Sequence, residues 1–193
     1  MLAEALAAVA LICIDPGHGT LPAVARGQEP IGPGAAATKL RDGGGAPGEA
    51  EVVLAVAKRT GALLRARGYR VVLTRSAAGY AGGNRERAET CNRAGAALML
   101  RIHADGAADP AAHGASTLVP AVRRGWTDDI HAASGRAGGL LQAALVQATG
   151  AADRGVRERS DLTGFNWADV LAVLVEIGFL SNPAERAQLH SPG

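Results

Sequence analysis

Residues 175–182, Val-Glu-Ile-Gly-Phe-Leu-Ser-Asn, strand a carboxylate at the end of an apolar run. Residues 171–175 read as a fully buried strand, and Glu176 follows with Ile177, Gly178 and Phe179 behind it. A carboxylate in that setting is costly unless something pairs with it or is coordinated by it. Two other segments repeat the pattern. Residues 11–15 form an apolar strand running into Pro16-Gly17-His18-Gly19, and residues 98–102 run into His103-Ala104-Asp105. In an open α/β sheet the C-terminal ends of the strands are where ligands and catalytic groups collect. The three segments together read as an active site.

Two histidines and one carboxylate can hold a catalytic zinc ion with an open position for water, and a further carboxylate can then serve as general base. His18, His103 and Glu176 supply three of the four groups. Glu49 and Glu51 are the candidates for the metal carboxylate, and the residue pattern does not choose between them. Both fall in a first helical turn, where a negative charge is also stabilised by the helix dipole alone. The glycines around His18 suggest a phosphate cradle as a rival, but neither Gly-Lys-Ser/Thr nor a Gly-x-Gly-x-x-Gly run accompanies them. His113, His131 and His190 lie in polar contexts and read as surface residues.

The elements that must position these groups follow from periodicity and punctuation. Strands are expected over 9–14, 69–74, 97–102, 114–119 and 171–176, and helices over 49–67, 85–94 and 137–149. Gly68 is a natural residue to end the first helix. A last helix is expected after Asn182, with Asn182 as N-cap, Pro183 at the first position and Glu185 completing a capping-box-like start. Residues 17–48, rich in Gly and Pro, read as one long loop, of the kind that is usually functional or mobile. Alternating strands and helices predict an α/β fold with a mostly parallel or mixed central sheet flanked by helices.

The 193 residues suffice for one sizeable core, and residues 1–193 are read as a single domain. An apolar share of 48% excludes a disordered chain, and a net charge of +2 falls well short of a nucleic-acid-binding stripe. No segment reaches the ~18 apolar residues of a membrane span. Residues 1–10 are apolar and Ala-rich like the tail of a secretory signal, although they lack a basic n-region. Residues 1–8 are accordingly read as a signal remnant or a leading helix. Cys13 lies inside the first buried strand and is expected to behave as a small hydrophobe. A Cys13–Cys91 disulfide is the alternative if the chain is exported.

Taken in order, these pieces become specific. Ile14-Asp15-Pro16-Gly17-His18-Gly19, Glu49 leading Val53-Leu54-Ala55-Val56-Ala57, and the run from Gly68 to Arg75 are followed by Arg87 and Asn92-Arg93-Ala94-Gly95-Ala96. Ile102-His103-Ala104-Asp105, Arg154-Gly155-Val156 and the run from Val173 to Asn182 complete the set. Spanning nearly the whole chain, it resembles the zinc-dependent N-acetylmuramoyl-L-alanine amidases of the amidase-3 type. The resemblance implies His18, Glu49 and His103 as zinc ligands, with Glu51 on a non-ligand position, and Glu176 as the catalytic carboxylate. It further implies hydrolysis of the amide between N-acetylmuramic acid and L-alanine in peptidoglycan, by a monomer acting outside the cytoplasm. Asp15 is a candidate for orienting a ligand.

Arg101 departs from the family pattern, which usually has a small polar residue there. Strand alternation puts it on the side of His103. Its partner is then an acidic substrate group, Glu176, or another acidic side chain of the protein. Leu171 stands where the family often has Pro. No cell-wall-binding module is read in the chain, so targeting is expected to reside elsewhere or in the site itself. Two alternatives remain: a non-catalytic wall-binding or regulatory protein on the same fold, and a zinc peptidase acting on another amide. The full set of four site residues speaks against the first, whereas the second shares the chemistry and differs only in its pocket.

Overall fold

The three apolar runs that end in His18, His103 and Glu176 lie next to one another in the sheet. The computed structural model describes residues 9–20, 27–80 and 82–191. In chain order the elements are β1 (Leu11–Pro16), β2 (Gln28–Pro30), β3 (Thr38–Leu40), α1 (Glu49–Ala66), β4 (Arg70–Leu73), α2 (Asn84–Arg93) and β5 (Leu98–Asp105). They continue with β6 (Ala115–Pro120), α3 (His131–Thr149), β7 (Asp153–Arg159), α4 (Thr163–Asn166), β8 (Ala172–Phe179) and α5 (Pro183–Leu189). Six strands form one sheet in the order β4-β1-β5-β8-β6-β7. Every neighbouring pair is parallel except β6 with β8, so the sheet is mixed, as expected.

Strands β1, β5 and β8 occupy the interior and are covered on both faces, which is why they read as continuous apolar runs. On one face Ile14, Ile102 and Val173 pack against Val53 and Ala57 of α1. On the other, Cys13, Met99 and Leu174 pack with Ala88 and Cys91 of α2. Cys13 and Cys91 meet there as a disulfide with Cα atoms 5.5 Å apart. The reading of Cys13 as an unpaired small hydrophobe is therefore corrected. β7, which sequence reading did not resolve, is an edge strand with mostly exposed polar residues, so no apolar run announces it.

The expected long loop is also corrected. Within residues 17–48, β2 and β3 pair as an antiparallel ribbon. Asn166 Nδ2 and Trp167 Nε1 donate to the carbonyls of Ile31 and Pro30, each at 2.9 Å, and Gly32 lies against the ring of Trp126. Those contacts seat the ribbon on the body of the protein. At α5, Asn182 caps as expected, accepting from the amides of Ala184 and Glu185. Glu185 does not close the box: its carboxylate accepts instead from Phe179 N and Gly114 N, tying α5 to β8 and to the approach to β6. The reading of residues 1–8 as a signal remnant lies outside the described residues.

Register aligns the site. Asp15 of β1 pairs with Arg101 of β5, and His103 of β5 pairs with Glu176 of β8. Residues paired across parallel strands share a face, and alternation puts 101 with 103 on it. A register shift between His103 and Asp105 ends the regular pairing near the C-terminal end of β5.

Candidate active site

His18 follows β1 directly and is the one non-glycine among the described residues with positive φ, 53°. Such a backbone costs on the order of 1–3 kcal/mol and persists only where its surroundings over-determine it. Here two buried guanidiniums do so. Arg87 donates to the carbonyls of Pro16 at 2.6 Å and His18 at 2.7 Å. Arg75 donates to the carbonyls of Pro16 and Gly17, and at 2.6 Å to that of Ala50 in the first turn of α1. The turn bearing His18 and the helix bearing Glu49 are thus held by one network. Burial and the neighbouring Arg87 bring Arg75 down to about 10, so it stays charged at neutral pH.

His18, Glu49 and His103 converge, with one ligand-type atom from each lying within 4.8 Å of the others. His103 Nδ1 is 3.1 Å and His18 Nε2 3.5 Å from Glu49 Oε1. Ala104 N donates to the same oxygen and Ala46 N to Oε2, which fixes the carboxylate from both ends. Glu51, by contrast, is exposed. Burial alone would raise Glu49, but the hydrogen bond from His103 and the two imidazoles hold it below the usual carboxylate range. Burial drives His103 down to about 4, helped by Arg101 and His18 against the pull of Glu49. A neutral imidazole beside an ionised carboxylate is the protonation state that metal ligands require.

The residue that orients His18 was not foreseen. Asp42 Oδ1 lies 2.5 Å from His18 Nδ1 and also accepts from Gly44 N at 2.9 Å. This leaves His18 Nε2 directed at Glu49, the carboxylate–histidine arrangement that fixes a metal-bound imidazole. Burial would raise Asp42, but its bonds from His18 and Gly44 outweigh it and hold the carboxyl low. Gly45, at φ 66°, completes the cradle, because a Cβ there would run into the Glu49 carboxylate and the His18 ring.

Among the described residues Asp15 makes no hydrogen bond to His18, Glu49 or His103, and it reaches the His18 turn only through Arg87. It accepts from Thr74 Oγ1 at 2.6 Å and from Arg87 and Arg101, each at 2.8 Å. Burial opposes its ionisation, but the two guanidiniums and Thr74 prevail and hold it far below the ordinary range. Arg101 therefore has its acidic partner within the protein, and that partner is Asp15 rather than Glu176. Asn84 Oδ1 accepts a second bond from Arg101 at 2.6 Å.

Glu176 stands across from His103 with Oε2 buried and without a partner. Burial, reinforced by the charges of Glu49 and Asp105, pushes it up to about 8. Buried polar atoms are nearly always satisfied. Asp42 Oδ2, His103 Nε2 and Glu176 Oε2 are three of the five exceptions among the described residues, all in this one place. Two imidazoles, a carboxylate and this cluster of unsatisfied atoms fit a divalent cation with nitrogen and oxygen ligands. A cavity of about 600 Å³ opens onto the group, bounded farther out by Ser181 and Arg186. His113 and His190 are exposed and His131 is half-buried, away from it.

Comparison with known proteins adds context. A family model described as N-acetylmuramoyl-L-alanine amidase matches residues 12–193. The N-acetylmuramoyl-L-alanine amidase AmiA of Salmonella typhimurium is 37% identical over 108 residues, which cover 56% of this chain and 32% of that protein. The chain therefore spans about a third of the length of the curated relative it matches. Among solved structures, the amidase Ami1 of Mycobacterium smegmatis is similar with a TM-score of 0.81 at 26% identity, over 95% of this chain and 88% of that one. An N-acetylmuramoyl-L-alanine amidase of Clostridium difficile shares the fold, with a TM-score of 0.72 at 23% identity over 95% of this chain and 87% of that one.

Proposed function

The chain belongs to the N-acetylmuramoyl-L-alanine amidase family, and from that premise we propose that it is a zinc-dependent hydrolase of the amide joining N-acetylmuramic acid to L-alanine in peptidoglycan. The convergence of His18, Glu49 and His103 beside an unpartnered Glu176 oxygen carries this reading. These three residues would hold the zinc ion. When bound, zinc supplies Lewis acidity, polarising the scissile carbonyl and acidifying water.

The protein's own groups do the rest. Asp42 holds the His18 ring in one orientation, and Arg75 and Arg87 keep its backbone in the strained turn. Glu176 takes the proton of the attacking water and delivers it to the departing alanine nitrogen. Water thus adds across the bond, hydroxyl to the lactyl acyl carbon and hydrogen to the amine. Glu176 is suited to that shuttle because it stands across from His103 with a buried oxygen that no protein group engages.

Action outside the cytoplasm agrees with the Cys13–Cys91 disulfide, which persists in oxidising surroundings. Among the described residues no helix is long and apolar enough to cross a membrane. Metal content tests the ligand assignment. Purified protein is expected to carry about one zinc per chain, lost in Glu49→Ala and retained in Glu51→Ala. The reverse pattern would overturn the assignment.

A further inference from the structure

We propose that a second cavity at this site receives a free carboxylate of the stem peptide, and that Lys39 is the residue that reads it. The proposal rests on the amidase reading above. Two cavities share His18, His103 and Glu176 and diverge from there, as a substrate cut between an acyl and an amine portion requires. The first, described above, carries the carboxylates of Glu49, Asp105 and Glu176 against one guanidinium among the described residues, that of Arg186. The second, of about 560 Å³, reverses the balance: Lys39, Arg101 and Arg159 face it, with Glu176 as its only acid among the described residues. Leu118, Leu162 and Leu174 supply its apolar wall.

The three cations differ in what they have left to give. Arg159 is held by two 2.7 Å bonds to Asp161. Arg101 is pinned by Asp15 and Asn84, although Asp15 divides one charge between Arg101 and Arg87. Lys39 Nζ donates at 3.0 Å to the main-chain carbonyl of Asp161 and forms no ion pair among the described residues. The Asp161 carboxylate feels its charge only from beyond ion-pair distance and is itself bonded to Arg159, and the seated β2–β3 ribbon holds Lys39 at the wall of the cavity. On the substrate, the muramoyl portion is uncharged, whereas the γ-linked glutamate that follows L-alanine carries an α-carboxylate or the corresponding carboxamide. Charge therefore assigns the peptide to the Lys39 cavity and makes the chain selective for the free acid over the amide.

The test compares kcat/KM of the zinc-loaded protein on N-acetylmuramoyl-L-alanyl-D-isoglutamate and on the same compound with the α-carboxyl amidated. The wild type is expected to favour the acid by roughly tenfold, the value of one charge-assisted contact. Lys39→Met should bring the ratio close to one, mainly through KM for the acid, while Lys39→Arg keeps most of the preference. Melting curves of both variants confirm that the fold persists, Lys39 being half-buried on a two-stranded ribbon. Equal rates on the two compounds in the wild type, or an unchanged ratio in Lys39→Met, would overturn the proposal. Loss of the preference in Arg186→Met but not in Lys39→Met would overturn it too, by placing the carboxylate in the other cavity. Failure to cleave either compound would contradict the amidase reading itself, an outcome distinct from cleavage without preference.

Discussion

Asp42 Oδ1 and His18 Nδ1 lie 2.5 Å apart, and this pair decides which nitrogen of His18 faces the Glu49 carboxylate. Without Asp42 the ring is free to turn and to change tautomer, so ligand geometry is no longer prearranged. Asp42→Ala should fold, since among the described residues the Asp42 side chain bonds only to His18 and the Gly44 amide. Zinc affinity should fall roughly 10–100-fold, as measured by competition with a chromogenic chelator. Unchanged affinity would show that the pair is incidental.

The buried pair of Arg101 and Asp15 has a different consequence, because both residues are almost fully enclosed. Removing the guanidinium leaves Asp15 with Arg87 and Thr74 alone and empties a volume beside Gly164. Arg101→Met should lower unfolding free energy by about 3 kcal/mol. The double variant with Asp15→Asn should be less unstable than the sum of the single changes, because the stranded charge is gone. Denaturant titrations read both quantities, and strictly additive losses would show that the two residues are not coupled.

Three of the four groups at the centre of the site were legible because each ends an apolar strand, and a charge after such a run has few structural uses. Glu49 could not be told from Glu51 by pattern, since two acids in one helical turn look alike until the helix is docked. Asp42 was invisible for another reason. It sits in Arg41-Asp42-Gly43-Gly44-Gly45, where no periodicity exists, and an Asp before glycines reads as a turn. The ribbon β2–β3 was missed for the same lack of pattern. The partner of Arg101 lies 86 residues away in sequence and only strand register reveals it, whereas Cys91, 78 residues from Cys13, could be named as a partner but its pairing depends on the docking of α2. α3 begins at His131 rather than near 137, and its first turns escape sequence reading because Gly135, Gly138 and Gly139 depress the helical signal. Gly138 is needed there, since a Cβ would strike Val119.

The raised Glu176 predicts how stability varies with pH. In the unfolded chain this carboxyl titrates near 4.5, and in the folded metal-free chain near 8. Below the lower value it is protonated in both states and contributes nothing. Between the two, the unfolded chain releases its proton while the folded chain keeps it, so stability falls as pH rises, and the loss is complete above about 8. Glu176→Gln removes this penalty. In chelator-treated protein the variant should match the wild type at about pH 4 and melt higher by roughly 5 °C or more at pH 8. A difference that does not grow with pH would show that Glu176 is not a strained, buried acid.

The central claim is that His18, Glu49, His103 and Glu176 together cut one particular amide bond, and product analysis tests it most directly. The zinc-loaded protein would be incubated with purified muropeptides and the products weighed by mass spectrometry before and after derivatisation of new amino termini. The account predicts the addition of one water at a single position, giving N-acetylmuramic acid with a free lactyl carboxylate and a peptide whose new amino terminus is L-alanine. It further predicts that Glu176→Gln retains zinc while kcat falls by ~10² or more. Cleavage between two amino acids of the stem, or intact muropeptide despite bound zinc, would contradict it.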